Sequence, residues 1–257
     1  MSEDVVLYKL EGRIAHIVLN RPDVINAFNR AMYEQLNESI NRFRDDDGAW
    51  VAIISGSGQR GFCSGVDIKS IEVDENGVTI PFPPISLCDG MVTSKPIVAA
   101  IHGHCIGEGA NVAFSCDMIF AAESAKIYVP EARIGVNAID IPLKLARKLS
   151  YNNAFELLMG LEPKSAEWCQ RAGLINRVTP DGAVVEAAVA WAEKLIDSTA
   201  PLAIRGMKDA LHQAVFKSEE AGLAAGQAWR DKILHSQDWQ EGQRAFKEKR
   251  RPVYEGR

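Results

Sequence analysis

Residues 105–131 read CIGEGANVAFSCDMIFAAESAKIYVPE, and residues 61–69 before them read GFCSGVDIK. Each stretch contains a glycine-bearing turn, and the longer one continues through a predicted helix and short strands to the acidic Glu131. A turn of this kind can leave a backbone N–H without a partner, and the second turn lies at the N-terminus of the helix predicted to begin near Gly109. The two turns therefore predict backbone donors close to a carboxylate, which is typical of an enzyme site.

Strands and a helix alternate along the first hundred residues. Residues 14–19, 50–55 and 96–101 form short apolar runs whose β-branched content is typical of buried strands. Between the first two runs, apolar residues spaced three or four apart share one face of a predicted helix. These residues are Met32, Leu36, Ile40 and Phe43. A strand–helix–strand order of this kind predicts a parallel α/β core.

The later part of the chain is predicted to be mainly helical. Short strands are predicted over residues 117–122 and 126–129, and helical patterns follow them. We divide the chain into an α/β core, residues 1–197, and a helical C-terminal region, residues 198–257. The proline-rich segment 74–84 is predicted to be a mobile loop that covers a binding site, since long loops in compact domains are often lids.

The composition bounds the possible partners. The chain has 257 residues, 47% of them hydrophobic, so it can bury a substantial core. It carries 29 Lys and Arg against 34 Asp and Glu, a formal net charge of −5, which does not favour binding to nucleic acid or to an anionic membrane. A basic cluster near the C-terminus is the exception, and it is either a solvated helix end or a contact for a phosphate-bearing ligand. Its members are Lys247, Lys249, Arg250 and Arg251.

Cysteine usage and the N-terminus favour a reducing compartment. The five cysteines are odd in number and include no Cys-x-x-Cys pair, so neither a disulfide framework nor a zinc site is predicted. His102 and His104 bracket a glycine, but no third ligand is evident and we interpret them as structural. The acidic N-terminus lacks the features of a signal peptide, and no apolar run approaches the ~20 residues of a membrane span. We therefore expect a cytoplasmic protein without a metal.

Residues 56–61, GSGQRG, match the G-x-G-x-x-G spacing of dinucleotide-binding turns. That function requires a helix to begin where the turn ends, so that the pyrophosphate meets the helix N-terminus. Here residues 62–67 follow instead, with another glycine and no helical period. A dinucleotide-dependent reductase is therefore disfavoured against a plain turn from a strand into a loop.

Further motifs occur in order along almost the whole chain. They are LNRP at 19–22 with NAF at 26–28, KPIVAAI at 95–101, ESAK at 123–126, AGLINRV at 172–178, and EGQRAF at 241–246 with EKR at 248–250. Together with the two turns, these motifs resemble those of the crotonase superfamily, the enoyl-CoA hydratase/isomerase family.

The resemblance implies a fold, an assembly and a substrate. It implies a spiral of ββα units that forms a homotrimer or a homohexamer, with the C-terminal helices contributing to trimerisation and pocket closure. The implied substrate is an acyl-CoA thioester, whose oxygen accepts hydrogen bonds from the backbone N–H groups of Val66 and Glu108, while Glu131 is the shared catalytic carboxylate. No cofactor is expected, because coenzyme A is part of the substrate. Implied CoA or substrate contacts are Ala27, Ser64, Gly65, Asp67, Ile68, Gly107 and Lys249.

One departure from the family pattern bears on the reaction. Family hydratases carry a second glutamate on the helix after the second turn, where this chain has Asn111. An amide can orient water or donate a hydrogen bond, but it cannot take up a proton at pH 7. We therefore favour isomerisation, which needs only Glu131, or an atypical hydratase/lyase reaction in which Asn111 positions substrate or water. The alternative is a non-catalytic acyl-CoA-binding member of the family.

Three further residues have open interpretations. Asp140 is either an additional acid or base, or the N-cap of a helix with Pro142 in its first turn. The Glu108 side chain either reaches the pocket and replaces the missing partner or points away, and we favour the second because a carboxylate would oppose a developing enolate. Tyr128 either lines the pocket or donates a proton.

Overall fold

The computed structural model describes residues 4–88 and 90–257. The strands in chain order are β1 Val6–Glu11, β2 Ile14–Leu19, β3 Val51–Gly56, β4 Gly61–Cys63, β5 Ile97–Ile101, β6 His104–Ile106, β7 Met118–Ala122, β8 Lys126–Tyr128, β9 Lys164–Ser165 and β10 Arg177–Thr179. Within the described residues they form two sheets, a larger one ordered β1-β2-β3-β5-β7-β10 and a smaller one ordered β4-β6-β8-β9. Only the β1–β2 and β8–β9 pairs of these sheets are antiparallel. The predicted parallel α/β core is therefore confirmed.

The helices lie mainly in the second half of the chain. They are α1 Arg30–Asp45, α2 Glu108–Ser115, α3 Asp140–Lys148, α4 Tyr151–Leu158, α5 Ala166–Arg171, α6 Val184–Ser198, α7 Pro201–Phe216, α8 Glu219–Leu234 and α9 Gln237–Glu248. None of them, in the part of the chain that the structure describes, is long and apolar enough to cross a bilayer. Within the predicted C-terminal region, α7 and α8 pack against each other.

Helix α1 forms as its apolar spacing predicts. Its N-cap is Asn29, whose side-chain oxygen accepts a hydrogen bond from the Met32 N–H at 3.0 Å. The predicted apolar face is buried against the larger sheet. The helix thus covers one face of the core.

The central strands of the larger sheet are buried on both faces, which explains their unbroken apolar sequences. Successive residues of a strand point to opposite faces. Ile54 of β3 accordingly belongs to the cluster that contains Leu36 of α1, whereas Ile53 belongs to the cluster that contains Ala188 of α6. The sheet is therefore sandwiched between helices and holds the rest of the fold in place.

The GSGQRG turn does not lead into a helix. Its last residue, Gly61, begins β4, whose partner is β6. A Cβ atom on Gly61 would lie 2.4 Å from the backbone nitrogen of His104, so the glycine serves the close approach of two strands. This observation contradicts the dinucleotide-binding interpretation.

Candidate active site

The candidate site lies where three neighbouring strands of the smaller sheet end. Strand β6 pairs in parallel with β4 on one side and with β8 on the other. Because parallel strands run in the same direction, their carboxyl ends meet at one edge of the sheet. The turn after β4, the turn after β6 and the segment that leads from β8 to Glu131 are therefore neighbours.

The turn after β4 leaves the backbone N–H of Val66 free. The Phe28 N–H donates to the Gly65 carbonyl at 2.8 Å, and the Asp67 N–H donates to the Phe28 carbonyl at 2.9 Å. This bridge uses the residues on either side of Val66 and directs the Val66 N–H away from Phe28. Within residues 4–88 and 90–257, no protein acceptor for that N–H is found.

The turn after β6 brings a second N–H to the same place. Glu108 is the first residue of α2, where a backbone N–H has no acceptor within the helix. A Cβ atom on Gly65 would lie 3.8 Å from the Glu108 nitrogen, and one on Gly107 would lie 3.7 Å from the Gly65 Cα. Both glycines have positive φ, +96° and +53°, which disfavours other residues there. The two turns are therefore in direct backbone contact.

Glu131 lies against this contact. Its Oε1 is 3.0 Å from the position that a Cβ atom of residue 107 would occupy. Its Oε2 is buried and has no hydrogen-bond partner among the described residues. Burial raises the pKa of the carboxyl group, and a hydrogen bond from its own backbone N–H opposes that rise. A carboxyl group in this state can exchange a proton with a bound molecule.

The side chain of Asn111 is enclosed, with only 5% of the residue exposed. Its Nδ2 donates to Glu108 Oε1 at 3.3 Å, and its Oδ1 accepts a hydrogen bond from Lys144 Nζ. Both ends of the amide are thus engaged by protein groups. The positioning of substrate or water by Asn111 remains a prediction.

The Glu108 carboxylate does not point away from the site, so the expectation that we favoured is wrong. The residue is partly exposed, and its carboxylate faces Asn111. Burial raises the pKa of this carboxyl, the Asn111 hydrogen bond and the Lys144 charge lower it, and the charges of Asp140 and Glu131 raise it. The carboxylate is tolerated there because the positive charge of Lys144 partly compensates its negative charge.

Asp140 and Tyr128 are also placed by the structure. Ile139 already has helical dihedral angles and makes no side-chain cap, and Asp140 is the first residue of α3. The N-cap interpretation of Asp140 is therefore wrong, and the residue instead lies in the first turn of α3, at the positive end of the helix dipole. The Tyr128 hydroxyl donates to the Gly160 carbonyl and accepts from Arg133, both at 2.9 Å, so it is held by structural partners.

Most of the residues predicted to contact CoA are close together in the fold. The turn after β4 contains Ser64, Gly65, Asp67 and Ile68, and its Ile68 is 66% exposed. Ala27 precedes Phe28, which bridges this turn, and Gly107 contacts Gly65. Lys249 lies apart from them in sequence and ends α9 in the left-handed conformation.

The structure also identifies supporting residues to which the sequence motifs alone gave no role. Arg21 donates to the Ala27 carbonyl and pairs with Asp67 at 3.1 Å. The side chain of the fully buried Asn26 accepts from the Arg21 N–H and donates toward three carbonyls. These carbonyls belong to Ser57, Gly61 and Phe62. Asn26 belongs to the motif at 26–28, and an asparagine that is buried in a fold needs several hydrogen-bond partners. The motifs at 19–22 and 26–28 therefore offered a signal for this supporting role.

We expect Asn26→Ala to destabilise the protein strongly. The substitution leaves the Arg21 N–H and buried carbonyls without their partner, so the free energy of unfolding should fall by about 3 kcal/mol. Urea denaturation measures this loss. Asn20→Ala is the matched control, because Asn20 makes one exposed bond to the Asp4 carbonyl. Equal losses in the two variants would contradict a structural role for Asn26.

Comparisons with known proteins show similarity over the whole chain. A family model described as enoyl-CoA hydratase/isomerase matches residues 9–257. A carnitinyl-CoA dehydratase from Salmonella typhi is 34% identical over 269 residues, and the match covers 100% of this chain and 100% of that protein. A carnitinyl-CoA dehydratase from Proteus mirabilis (strain HI4320) is 32% identical over 258 residues, which cover 96% of each chain.

Solved structures show the same likeness. An enoyl-CoA hydratase from Mycobacterium tuberculosis H37Rv superposes with a TM-score of 0.89 at 29% identity, over 99% of this chain and 100% of that one. An enoyl-CoA hydratase/isomerase from Mycobacterium paratuberculosis superposes with a TM-score of 0.88 at 30% identity, over 99% of both. The similarity is therefore not confined to a single motif.

Proposed function

Since this chain belongs to the enoyl-CoA hydratase/isomerase family, we propose that it stabilises the enolate of an acyl-CoA thioester with the N–H groups of Val66 and Glu108, while Glu131 moves a proton. A thioester carbonyl gathers negative charge on its oxygen when the neighbouring carbon loses a proton or its double bond is attacked. Each N–H donor aimed at that oxygen typically contributes about 3 kcal/mol in the transition state. The reaction then needs one acid or base beside the carbon.

The observation that carries this proposal is the meeting of three groups at Gly107. Glu131 Oε1 lies at the open side of Gly107, the Gly65 backbone lies on the same side, and Glu108 follows directly. A side chain at position 107 would separate the carboxylate from the two donors. The unpaired Oε2 supports the same assignment, since a buried acceptor without a partner is costly unless a ligand supplies one.

The reaction classes that we propose are isomerisation of the double bond and an atypical hydratase/lyase reaction. Isomerisation is supported by Asn111, which cannot replace a second glutamate as a base. A lyase reaction is supported by the relatives named carnitinyl-CoA dehydratase. Both pass through an enolate of the thioester, so both require Glu131 and the two donors.

A panel of acyl-CoA substrates in heavy water tests the proposal. Deuterium should enter at Cα, as read by NMR, and the product mass separates addition of water from isomerisation, which leaves the mass unchanged. Tight acyl-CoA binding without deuterium exchange would instead select a non-catalytic binding protein. Absence of both binding and exchange over the panel would refute the proposal.

We also propose that the protein assembles as a homotrimer or a homohexamer through its C-terminal helices. Helices α7 and α8 expose several large apolar side chains to solvent, and such a surface favours association. These side chains belong to Met207, Leu211, Val215 and Leu223. Light scattering gives the mass in solution, and a monomer at all concentrations would contradict this assembly.

The exchange rate should depend on the ionisation of Glu131. Burial raises the pKa of this carboxyl above its ordinary 4.5. Removal of the Cα proton needs the ionised form, so the rate should rise with pH through a limb centred above 4.5 and should fall as Glu131 protonates. The measurement is kcat/KM for exchange between pH 4 and 9. A limb at or below 4.5 would show that another group acts.

A further inference from the structure

A second carboxylate, that of Glu108, lies near enough to Glu131 for the charge of Glu131 to raise its pKa. We propose that the side chain of Glu108 replaces the carboxylate that Asn111 lacks, and that Glu108 and Glu131 together handle water in a hydration or dehydration reaction. This inference rests on the proposed function and assigns the water chemistry of the same site. It also assigns to Asn111 and Lys144 the role of positioning residues.

The helix geometry allows such a replacement. Glu108 and Asn111 are three residues apart on α2, and residues at this spacing lie on the same face of a helix. Their Cα atoms are separated by about 4.5 Å along the axis, which is within the reach of a glutamate side chain. The carboxylate of a glutamate at position 108 can therefore reach the same region of the site as the carboxylate of a glutamate at position 111.

A hydrogen bond joins the Glu108 carboxylate to Asn111, which is itself bonded to Lys144. Lys144, on α3, donates to the Asn111 oxygen, and the Asn111 nitrogen donates to Glu108 Oε1. Asn111 is enclosed by these contacts, whereas Glu108 is partly exposed. Of the two residues, Glu108 is the one that a bound molecule can reach. Asn111 then acts through Glu108, as a link to the ammonium group.

The two carboxyl groups differ in the groups that oppose the effect of burial, since Asn111 and Lys144 act on Glu108 and not on Glu131. Burial raises the pKa of Glu108, and the charges of Asp140 and Glu131 act in the same direction, while the Asn111 hydrogen bond and the charge of Lys144 oppose that rise. Glu131 is buried with only a backbone N–H to favour its ionised form. Pairs of carboxyl groups in unlike environments are the usual arrangement for one base and one acid. We assign Glu108 as the base toward water and Glu131 as the acid toward Cα.

The hydration step balances with these assignments. The Glu108 carboxylate takes one proton from water while the water oxygen forms a bond to Cβ. The π electron pair of the Cα–Cβ bond moves onto the thioester as an enolate, whose oxygen accepts from the two backbone donors. The enolate pair then takes a proton from the Glu131 carboxylic acid at Cα. The net result is the addition of one water, with Glu131 left ionised and Glu108 left protonated. Proton exchange with solvent then restores the starting protonation state of both carboxyl groups. Dehydration follows the same steps in reverse.

The lysine also answers the objection that a carboxylate would repel the enolate. The positive charge of Lys144 lowers the pKa of Glu108, and Asn111 bridges the two side chains, so Glu108 is not an isolated anion. When Glu108 takes the proton of water, its own negative charge disappears as the enolate charge forms. The repulsion that led us to expect an outward side chain therefore falls during the step itself.

The test compares two rates in Glu108→Gln, hydration of crotonyl-CoA and Cα deuterium exchange of butyryl-CoA, whose Cα proton can be removed without addition of water. We expect the ratio of hydration to Cα deuterium exchange to fall at least about 100-fold, because removal of a general base typically costs that much. Lys144→Met should lower the same ratio and shift the acid limb of the hydration pH profile upward, since the charge that favours ionised Glu108 is lost. Glu186→Gln, an exposed substitution on α6, should change neither rate.

A double variant keeps the test decisive if Glu108→Gln folds poorly. Glu108→Gly with Asn111→Glu moves the carboxylate by one turn of the same helix and keeps the backbone donor, so it should recover hydration to within about 10-fold of the wild type. An unchanged ratio in Glu108→Gln would overturn the inference, as would a wild type that exchanges deuterium but never adds water. A wild type without any exchange would instead overturn the proposed function, and the role of Glu108 with it.

Discussion

Glu131→Gln is expected to lower the rate of Cα deuterium exchange by about 1,000-fold, within the range that a positioned acid or base supplies. Glutamine has nearly the same shape as glutamate but cannot take up a proton at pH 7. The backbone contact between Gly65 and Gly107 does not depend on the carboxylate charge, so the substrate should still bind. NMR in heavy water gives the exchange rate, and calorimetry with the same acyl-CoA gives its affinity.

The control for this prediction is again Glu186→Gln, which removes an exposed carboxylate on α6, a helix that packs against the larger sheet. It should exchange deuterium at the wild-type rate. Equal exchange in the wild type and in Glu131→Gln would remove Glu131 from the mechanism. A loss of affinity in parallel with the loss of exchange would show that the residue holds the substrate instead.

Gly109→Ala is expected to lower kcat/KM at least about 100-fold, the cost of losing one donor of an oxyanion hole. A Cβ atom on Gly109 would lie 2.5 Å from Cys63 Cβ and 3.1 Å from the Cys63 carbonyl oxygen. Helix α2 must therefore move away from the end of β4, which separates the Glu108 N–H from the Val66 N–H. The free energy of unfolding should also fall, although alanine favours a helix more than glycine does.

Gly226→Ala is the matched substitution within another helix. A Cβ atom at that position would lie 3.5 Å from Ala210 Cβ, which is ordinary contact. We expect this variant to keep its activity and to gain up to about 1 kcal/mol from helix propensity. Full activity in Gly109→Ala would mean that the spacing of the two turns does not matter to the reaction, and the oxyanion hole would then lie elsewhere.

Long periodic elements were predicted well, as were the short strands β7 and β8, whereas β4 and β6 were not predicted. The face of α1 was predicted residue by residue, because one turn of an amphipathic helix repeats the next. Strands β4 and β6 have three residues each, too few for any period to emerge. Their pairing is set by contacts between distant segments, such as Gly61 with His104. The crotonase-like fold was nevertheless confirmed, because the resemblance carried information that local patterns lacked.

The candidate site shows the same limit. The two turns and Glu131 were identified from sequence, since glycines and an acidic residue in a fixed order are visible there. The direction of the Glu108 side chain was not, because it depends on Lys144, 33 residues beyond Asn111 on another helix. The position of α3 relative to α2 depends on tertiary packing, and local sequence patterns do not predict it. The N-cap interpretation of Asp140 failed for a smaller reason, the helical conformation of Ile139.

Main-chain donors have an evolutionary consequence. The amides of residues 66 and 108 keep their direction whatever side chains accompany them, because β4, β6 and α2 aim the backbone. A lineage can therefore exchange these side chains and reshape the surroundings of the site while the two proposed oxyanion donors keep their positions. Substrate preference can then vary through the side chains of these two residues, while their backbone N–H groups stay the same.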